Sequence, residues 1–148
     1  MKKYYVEAIE GVESWYRDPN FAILHREDGP AFIGPGFRQW YLDGKLHRED
    51  GPAVVRDEGT KMWYYNGDLH RDGGPAIEWA SGTKVWMRYG RKHRIDGPAV
   101  EVSDGTKEWW IDGKFLTEKE FLTRTQPNEE LTIAQIEQLL NKRIKVVK

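Results

Sequence analysis

The sequence predicts a mainly β protein: a single-layer antiparallel sheet of about five stacked β-hairpin repeats, with a small α/β cap at the C-terminal end. Three observations support this fold class. An eight-residue motif occurs four times, its histidines are 22, 23 and 23 residues apart, and a second element with Gly and Trp recurs between the copies. A fixed period of this length is typical of stacked units that cannot bury their apolar faces alone.

The repeated motif, called here the His-Arg motif, reads Leu-His-Arg-Glu-Asp-Gly-Pro-Ala at residues 24–31 and 46–53. Looser copies occupy residues 69–76 and 92–99. An active site is usually built once, so residues repeated in every unit are expected to hold the unit together. We assign this structural role to His25, Arg26, Asp28, His47, Arg48, Asp50, His70, Arg71, His93 and Asp96.

The second element supplies the returning strand of each hairpin. Gly-Thr-Lys-x-Trp occurs at residues 59–63, 82–86 and 105–109, with divergent versions ending in Trp40 and Trp15. This gives five hairpins, the first of which has no His-Arg motif before it. The proline of each motif suits the start of a strand, because it donates no ladder hydrogen bond there.

The turns fix the expected register. Glycine is the third turn residue at Gly59, Gly82 and Gly105, which fits a type I turn followed by a left-handed glycine. Arg56 then pairs with Thr60, Trp79 with Thr83, and Val102 with Thr106, which sets Glu78 opposite Lys84 and Glu101 opposite Lys107. Alternation places the motif alanines on one face with Trp15, Trp40, Trp63, Trp86 and Trp109. The other face receives Val54, Ile77, Val100, Met62, Val85, Tyr64, Met87 and Trp110.

The motif and its period resemble a known group of repeats. They are similar to MORN-type β-hairpin repeats, and more closely to the His-Arg-x-Asp-Gly-Pro-Ala variant found in small proteins of large bacteriophages, giant viruses and some intracellular bacteria. The resemblance covers about residues 11–114. It implies an elongated single-layer sheet that serves as a binding platform.

Residues 1–115 are expected to form the repeat array, and residues 116–148 the cap. Thr117–Glu120 has the capping-box pattern that opens a short helix, and this helix is expected to end before Pro127. A second helix is predicted from the apolar stripe Ile133, Ile136, Leu139 and Leu140. A final strand is predicted around Ile144, Val146 and Val147.

Composition excludes several classes of function. Lys plus Arg (23) nearly balance Asp plus Glu (24), so the net charge of -1 argues against generic nucleic-acid or anionic-membrane binding. The chain has no cysteine, which excludes disulfides and thiolate nucleophiles. We see no signal peptide or membrane span, so a cytoplasmic protein is expected.

The histidines and the His-Arg-x-Asp pattern invite two chemical hypotheses, a metal site and a kinase-like catalytic loop. Equivalent histidines are separated by two strands, roughly 10 Å, which is too far for ligands that each sit about 2 Å from one zinc ion. The pattern lacks the other kinase motifs, and four copies of a catalytic base make no mechanistic sense. We therefore expect no enzyme, no metal and no cofactor.

The candidate binding residues are the tryptophans and the positions at which the repeats differ from one another. Candidates are the rings Trp63, Trp79, Trp86 and Trp109 and the basic run Arg88, Tyr89, Arg91, Lys92 and Arg94. The leading hypothesis is a non-enzymatic protein-binding module. The resemblance adds the expectation of a viral protein that binds and inhibits a host factor, such as a defence or gene-expression protein.

Three alternatives remain open. A small-ligand or nucleotide-sequestering protein would use the basic run. A MORN-like lipid scaffold is disfavoured by the near-neutral charge. Exposed edge strands also leave a homodimer open.

Overall fold

A computed structural model describes residues 3–126 of the chain. These residues form 17 strands and one helix. The predicted second helix (Ile133, Ile136, Leu139, Leu140) and final strand (Ile144, Val146, Val147) lie outside the described residues. The strands are β1 Tyr5–Ile9, β2 Val12–Tyr16, β3 Phe32–Gly34, β4 Phe37–Gln39, β5 Tyr41–Leu42, β6 Lys45–Leu46, β7 Val54–Arg56, β8 Lys61–Met62, β9 Tyr64–Tyr65, β10 Asp68–Leu69, β11 Ile77–Glu78, β12 Lys84–Val85, β13 Met87–Arg88, β14 Arg91–Lys92, β15 Val100–Glu101, β16 Lys107–Ile111 and β17 Lys114–Leu116.

Eleven strands form one long antiparallel sheet, in the order β1-β2-β3-β4-β7-β8-β11-β12-β15-β16-β17. Five long hairpins lie side by side in it, namely β1–β2, β3–β4, β7–β8, β11–β12 and β15–β16. The predicted fold class, a mainly β sheet of stacked hairpins, is confirmed. Each hairpin bonds to the next through a tryptophan, as in the 2.8 Å hydrogen bond from Trp63 N–H to the carbonyl of Ala76.

The predicted hairpin register is confirmed. Val55 pairs with Lys61 and Glu78 with Lys84, and Glu101 pairs with Lys107. The turn glycines have the expected positive φ, for example 104° at Gly59. The carboxylates of Glu78 and Glu101 accept hydrogen bonds from arginines of the His-Arg motif, although lysines stand opposite them in the ladder.

The structure adds a short hairpin, not predicted from the sequence, to each of the four repeats after the first. β5–β6, β9–β10 and β13–β14 each form a separate two-stranded sheet, and β17 pairs with the end of β16 in the same way. Two consecutive residues with positive φ form each turn, as at Asn66 (51°) and Gly67 (94°), which is the type I′ geometry. Each of the four repeats after the first therefore contains a long hairpin, a tryptophan and a short hairpin, whereas the first has only an isolated bridge between Tyr16 and Leu24.

The core is a narrow line along the junction of long and short hairpins. Ala31, Ala53, Ala76 and Ala99 are fully buried, and Val54, Val85 and Val100 are nearly so. Burial also raises the pKa of the half-buried Tyr41 and Tyr64 hydroxyls in the short hairpins. Among the described residues, no large side chain is completely enclosed. Stability therefore depends on contacts between successive repeats more than on a deep core.

The helix α1 (Glu118–Thr125) covers the C-terminal end of the sheet. The predicted capping box is present, because Thr117 Oγ1 accepts from Glu120 N–H and the Glu120 side chain accepts from Thr117 N–H. Phe121 is buried, and the helix contacts β16 and β17. Within residues 3–126, no helix has the length and apolar character needed to cross a membrane.

Candidate functional site

The arginine of each His-Arg motif stacks on the tryptophan at the end of the preceding long hairpin. The guanidinium carbon lies 3.7 to 4.2 Å from the ring centroid, close enough for a strong cation–π contact. The pairs are Arg26 with Trp15, Arg48 with Trp40, Arg71 with Trp63 and Arg94 with Trp86. The motif thus folds back over the tryptophan column.

The motif glycine completes a sandwich around the guanidinium. A Cβ atom built on Gly97 would lie 2.9 Å from Arg94 Cζ, and one on Gly74 would lie 3.0 Å from Arg71 Cζ. A Cβ at either position would displace the guanidinium from its place against the indole. The glycine is required by this close approach, since the motif glycines next to proline do not have positive φ.

Hydrogen bonds fix the guanidinium in the sandwich. Arg94 Nε donates to Asp96 Oδ1 at 2.8 Å, and Nη1 donates to the Pro98 carbonyl and to Glu101 Oε1. Arg71 has Gly73 at the aspartate position, yet it keeps the bonds to the Pro75 carbonyl and to Glu78. The arginine therefore joins one long hairpin to the next.

The motif histidines join successive short hairpins. Nδ1 of His47 accepts from the backbone N–H of Asn66 at 3.1 Å, and His25 and His93 accept from Asp43 and Asp112 in the same way. The side chains of these three histidines are only 10 to 13% exposed.

His70 departs from this pattern. The short hairpin of the next repeat, β13–β14, carries Tyr89 at its turn. The Tyr89 ring stacks on the His70 imidazole with centroids 4.1 Å apart and planes 8° apart. His70 Nδ1 is buried and has no hydrogen-bond partner among the described residues. The ring stack replaces the hydrogen bond at this one repeat interface.

Charge is layered on the surface that carries the motifs, called here the motif face. The motif arginine side chains are 19 to 32% exposed, whereas the Asp50, Asp96 and Asp72 side chains are 82, 79 and 96% exposed. Glu49 is similarly exposed. Cations lie beneath and carboxylates project outward, so the outermost of these charges are negative.

Grooves run between successive motifs on this face, with volumes of about 720, 790 and 450 Å³. The middle groove is lined by the motif residues from Arg48 to Pro52 and from His70 to Asp72. It also contains Tyr65 and Tyr89, which are 39 and 56% exposed. The rings of Tyr65, His70 and Tyr89 form a continuous aromatic row.

The structure divides the basic run predicted as a binding patch. Lys92 Nζ donates to Glu108 and lies over Trp110, and Arg94 is held in its sandwich. Arg88 and Arg91 pair across the β13–β14 hairpin and are exposed. Tyr89, at the turn between them, belongs to the middle groove.

The tryptophan candidates are placed differently from one another. Trp63 and Trp86 are half-buried under Arg71 and Arg94. Trp109 is half-buried and pairs with Leu116. Trp79 is 42% exposed at the tip of the β11–β12 hairpin, away from the grooves described above.

The middle groove contains three residues that were not predicted from the sequence: Tyr65, Glu49 and Asp72. An alignment of the short hairpins carries the signal for Tyr65, because Leu42 and Ile111 occupy the matching positions of other repeats. The carboxylates carried no signal, since charged loop residues are usually only solvated. In the part of the chain that the structure describes, no group of three or more His, Asp and Glu residues is arranged to hold a metal ion.

Comparison of the chain with protein-family models, with curated proteins and with solved structures finds no match in any of the three. The fold and the candidate site are therefore defined by the geometry described above: a repeat array of antiparallel hairpins with an acidic, grooved motif face.

Replacement of Arg94 by Lys is expected to lower the free energy of unfolding by about 1–3 kcal/mol. Lysine lacks the planar guanidinium that stacks on Trp86 while bonding to Asp96 and Glu101. Urea unfolding followed by tryptophan fluorescence measures the change. Arg88→Lys on the neighbouring exposed hairpin is the matched control and should change stability by less than about 0.5 kcal/mol. Equal effects of the two variants would contradict the sandwich.

Stability is also expected to fall in acid because of the motif aspartates. Hydrogen bonds from Arg48 and Arg94 hold the pKa of Asp50 and Asp96 below the ordinary carboxyl value. A carboxylate with a depressed folded-state pKa stabilises the fold above its unfolded pKa, about 3.9, and loses that contribution as pH falls through the folded value. The double variant Asp50→Asn, Asp96→Asn should therefore lose less stability than the wild type between about pH 5 and pH 3. Urea unfolding of both proteins across this range measures the change. If the free energy of unfolding falls equally in the two, the aspartates do not cause the loss of stability.

Proposed function

We propose that this chain is a non-enzymatic protein-binding module whose motif face receives a cationic segment of its partner. The observation that carries the proposal is the middle groove, where the exposed rings of Tyr65 and Tyr89 lie beside the outward carboxylates of Glu49, Asp50 and Asp72. Tyrosine is enriched at the energetic centres of protein interfaces.

The groove chemistry favours lysine and arginine side chains. An ammonium or guanidinium group that contacts the exposed part of either tyrosine ring gains a cation–π contact. The surrounding carboxylates add attraction and steer the encounter. The repeat geometry offers further carboxylates one unit away on either side, including Asp28 and Asp96, so an extended basic segment meets matching charge along the array.

The non-enzymatic part of the proposal rests on how the polar groups are used. The motif arginines and three of the four histidines bond between repeats, in the same way at each interface. Side chains committed to such contacts are poorly placed to bind substrate. A small anionic ligand has less support than a protein partner, since it would meet the outward carboxylates on the motif face.

The resemblance to MORN-like repeats of phage and giant-virus proteins extends the proposal to a setting. In that setting the partner is a host protein in the cytoplasm, and binding inhibits it. This extension has only the resemblance as support, whereas the groove supports the preference for a cationic segment.

The double variant Tyr65→Ala, Tyr89→Ala is expected to weaken partner binding at least about tenfold, which corresponds to the loss of two interface rings. An unstructured Lys/Arg-rich peptide and an Asp/Glu-rich peptide of equal length serve as defined probes in NMR titrations of the full chain. The basic peptide should shift the backbone signals of Tyr65, Glu49 and Asp72.

Trp79→Ala is the matched control, because it removes an exposed ring away from the grooves and should leave peptide binding unchanged. If the acidic peptide binds as well as the basic one, or if the control variant loses binding equally, the proposal fails. Affinity capture with the same three proteins then identifies a natural partner as one that the wild type and Trp79→Ala retain and the double tyrosine variant loses.

A further inference from the structure

The outer side of β1 is an open sheet edge. β1 stands at the end of the strand order, and four of its five side chains are exposed. Val6 and Ile9 are 46 and 58% exposed, and Glu7 is the single charged residue of the strand. A long edge strand with apolar residues and little charge readily pairs with another strand.

The backbone groups that face this open edge can be assigned. β1 and β2 are joined by the two-residue turn of Glu10 and Gly11, both with positive φ, so Ile9 and Val12 form a hydrogen-bonded pair. Alternation along the strand then turns the N–H and C=O groups of Val6 and Ala8 away from β2. The bond from Trp15 N–H to the Ala31 carbonyl agrees with this phase, since Trp15, opposite Val6, points to the next strand.

The two ends of the sheet differ. At the far end, α1 packs against β16 and β17, whereas within residues 3–126 no strand pairs with the outer side of β1. Pairing through β1 alone joins two copies about a two-fold axis and leaves no second equivalent edge to extend the assembly. The expected product is a closed dimer.

We propose that two copies of this chain pair through β1 in an antiparallel arrangement, with Val6 opposite the partner's Val6. The two sheets then become one continuous sheet, in which Val6 and Ala8 of each copy provide the main-chain hydrogen bonds. This inference concerns a surface separate from the middle groove, so its failure leaves the proposed function standing.

The register follows from hydrogen-bond phase and charge. Residues that point outward must face each other, which permits centres at Tyr5, Val6 or Glu7. A centre at Glu7 sets two carboxylates directly opposite each other, which is unfavourable. A centre at Tyr5 pairs only residues 3–7 within the described range, so the exposed Ile9 gains no described partner. The Val6 centre pairs all of residues 3–9, sets Glu7 opposite the partner's Tyr5, and brings Lys3 diagonal to the partner's Glu7.

Cysteine cross-linking tests the register directly, because the chain has no native cysteine. In the proposed pair the two Cα atoms at position 6 are about 5.5 Å apart, within the range of a disulfide. Equivalent atoms at position 7 are about 8 Å apart, and those at position 8 are farther still. Under mild oxidation of the full chain, Val6→Cys should form covalent dimer about tenfold faster than Glu7→Cys or Ala8→Cys.

Sedimentation equilibrium over a wide range of protein concentration tests the dimer itself. The contact is small, so a weak dimer is expected for the wild type. Val6→Lys, which places two like charges opposite each other, should weaken it about tenfold. Phe115→Lys changes an exposed apolar residue on the opposite edge strand and should leave the dimer unchanged. Circular dichroism confirms that each variant is folded.

Several results would overturn the proposal. If the wild type stays monomeric at every protein concentration, the proposed dimer does not form. A dimer that Val6→Lys leaves intact, or that Phe115→Lys weakens as much, has its contact elsewhere. Faster cross-linking of Glu7→Cys than of Val6→Cys excludes the register.

Discussion

A guanidinium held between an indole and a glycine is the contact on which the rest of this structure depends. The sheet has a narrow core of alanines and valines, and each hairpin is too small to be stable alone. The motif arginine compensates by touching the tryptophan of one long hairpin and, at Arg71 and Arg94, the glutamate of the next. The motif glycine gives it room, and the motif aspartate, where present, fixes its orientation. Arginine, tryptophan and glycine therefore recur together along the chain.

The same contact shapes the candidate site. Because the guanidinium groups lie beneath the surface, their carboxylate partners Asp50 and Asp96 face the solvent, and the motif face presents acceptor oxygens outward. Because the motif repeats, similar grooves lie between successive copies. The middle groove differs from the others because it contains the rings of Tyr65 and Tyr89. Tyr65 and Tyr89 replace residues that other repeats use for packing or turns, and Tyr89 does so at the expense of the hydrogen bond to His70. A lost bond at one interface, coupled to an exposed ring, is the pattern expected where function overrides structural consistency.

The sequence was sufficient for the repeat period, the long-hairpin register and the capping box, because each depends on local chemistry: turn glycines, alternation and the Thr117–Glu120 spacing. It was insufficient for the short hairpins, although Asn66–Gly67 and Asp112–Gly113 are strong type I′ signals, because two-residue strands have no periodicity to detect. The stacking of arginine on tryptophan could not be predicted from the sequence either, since Arg94 and Trp86 come together only because the short hairpin between them turns the chain back. The basic run illustrates the reverse error: adjacent charges in sequence were separated by their different partners in space.

A double-mutant cycle between Arg71 and Trp63 tests the central claim most directly. Urea unfolding of the wild type, Arg71→Ala, Trp63→Leu and the double variant isolates the energy of this one pair from the other bonds of Arg71. The account predicts a favourable coupling energy of about 0.5–2 kcal/mol. Additive effects, with a coupling below about 0.3 kcal/mol, would show that the stacked geometry does not hold the repeats together.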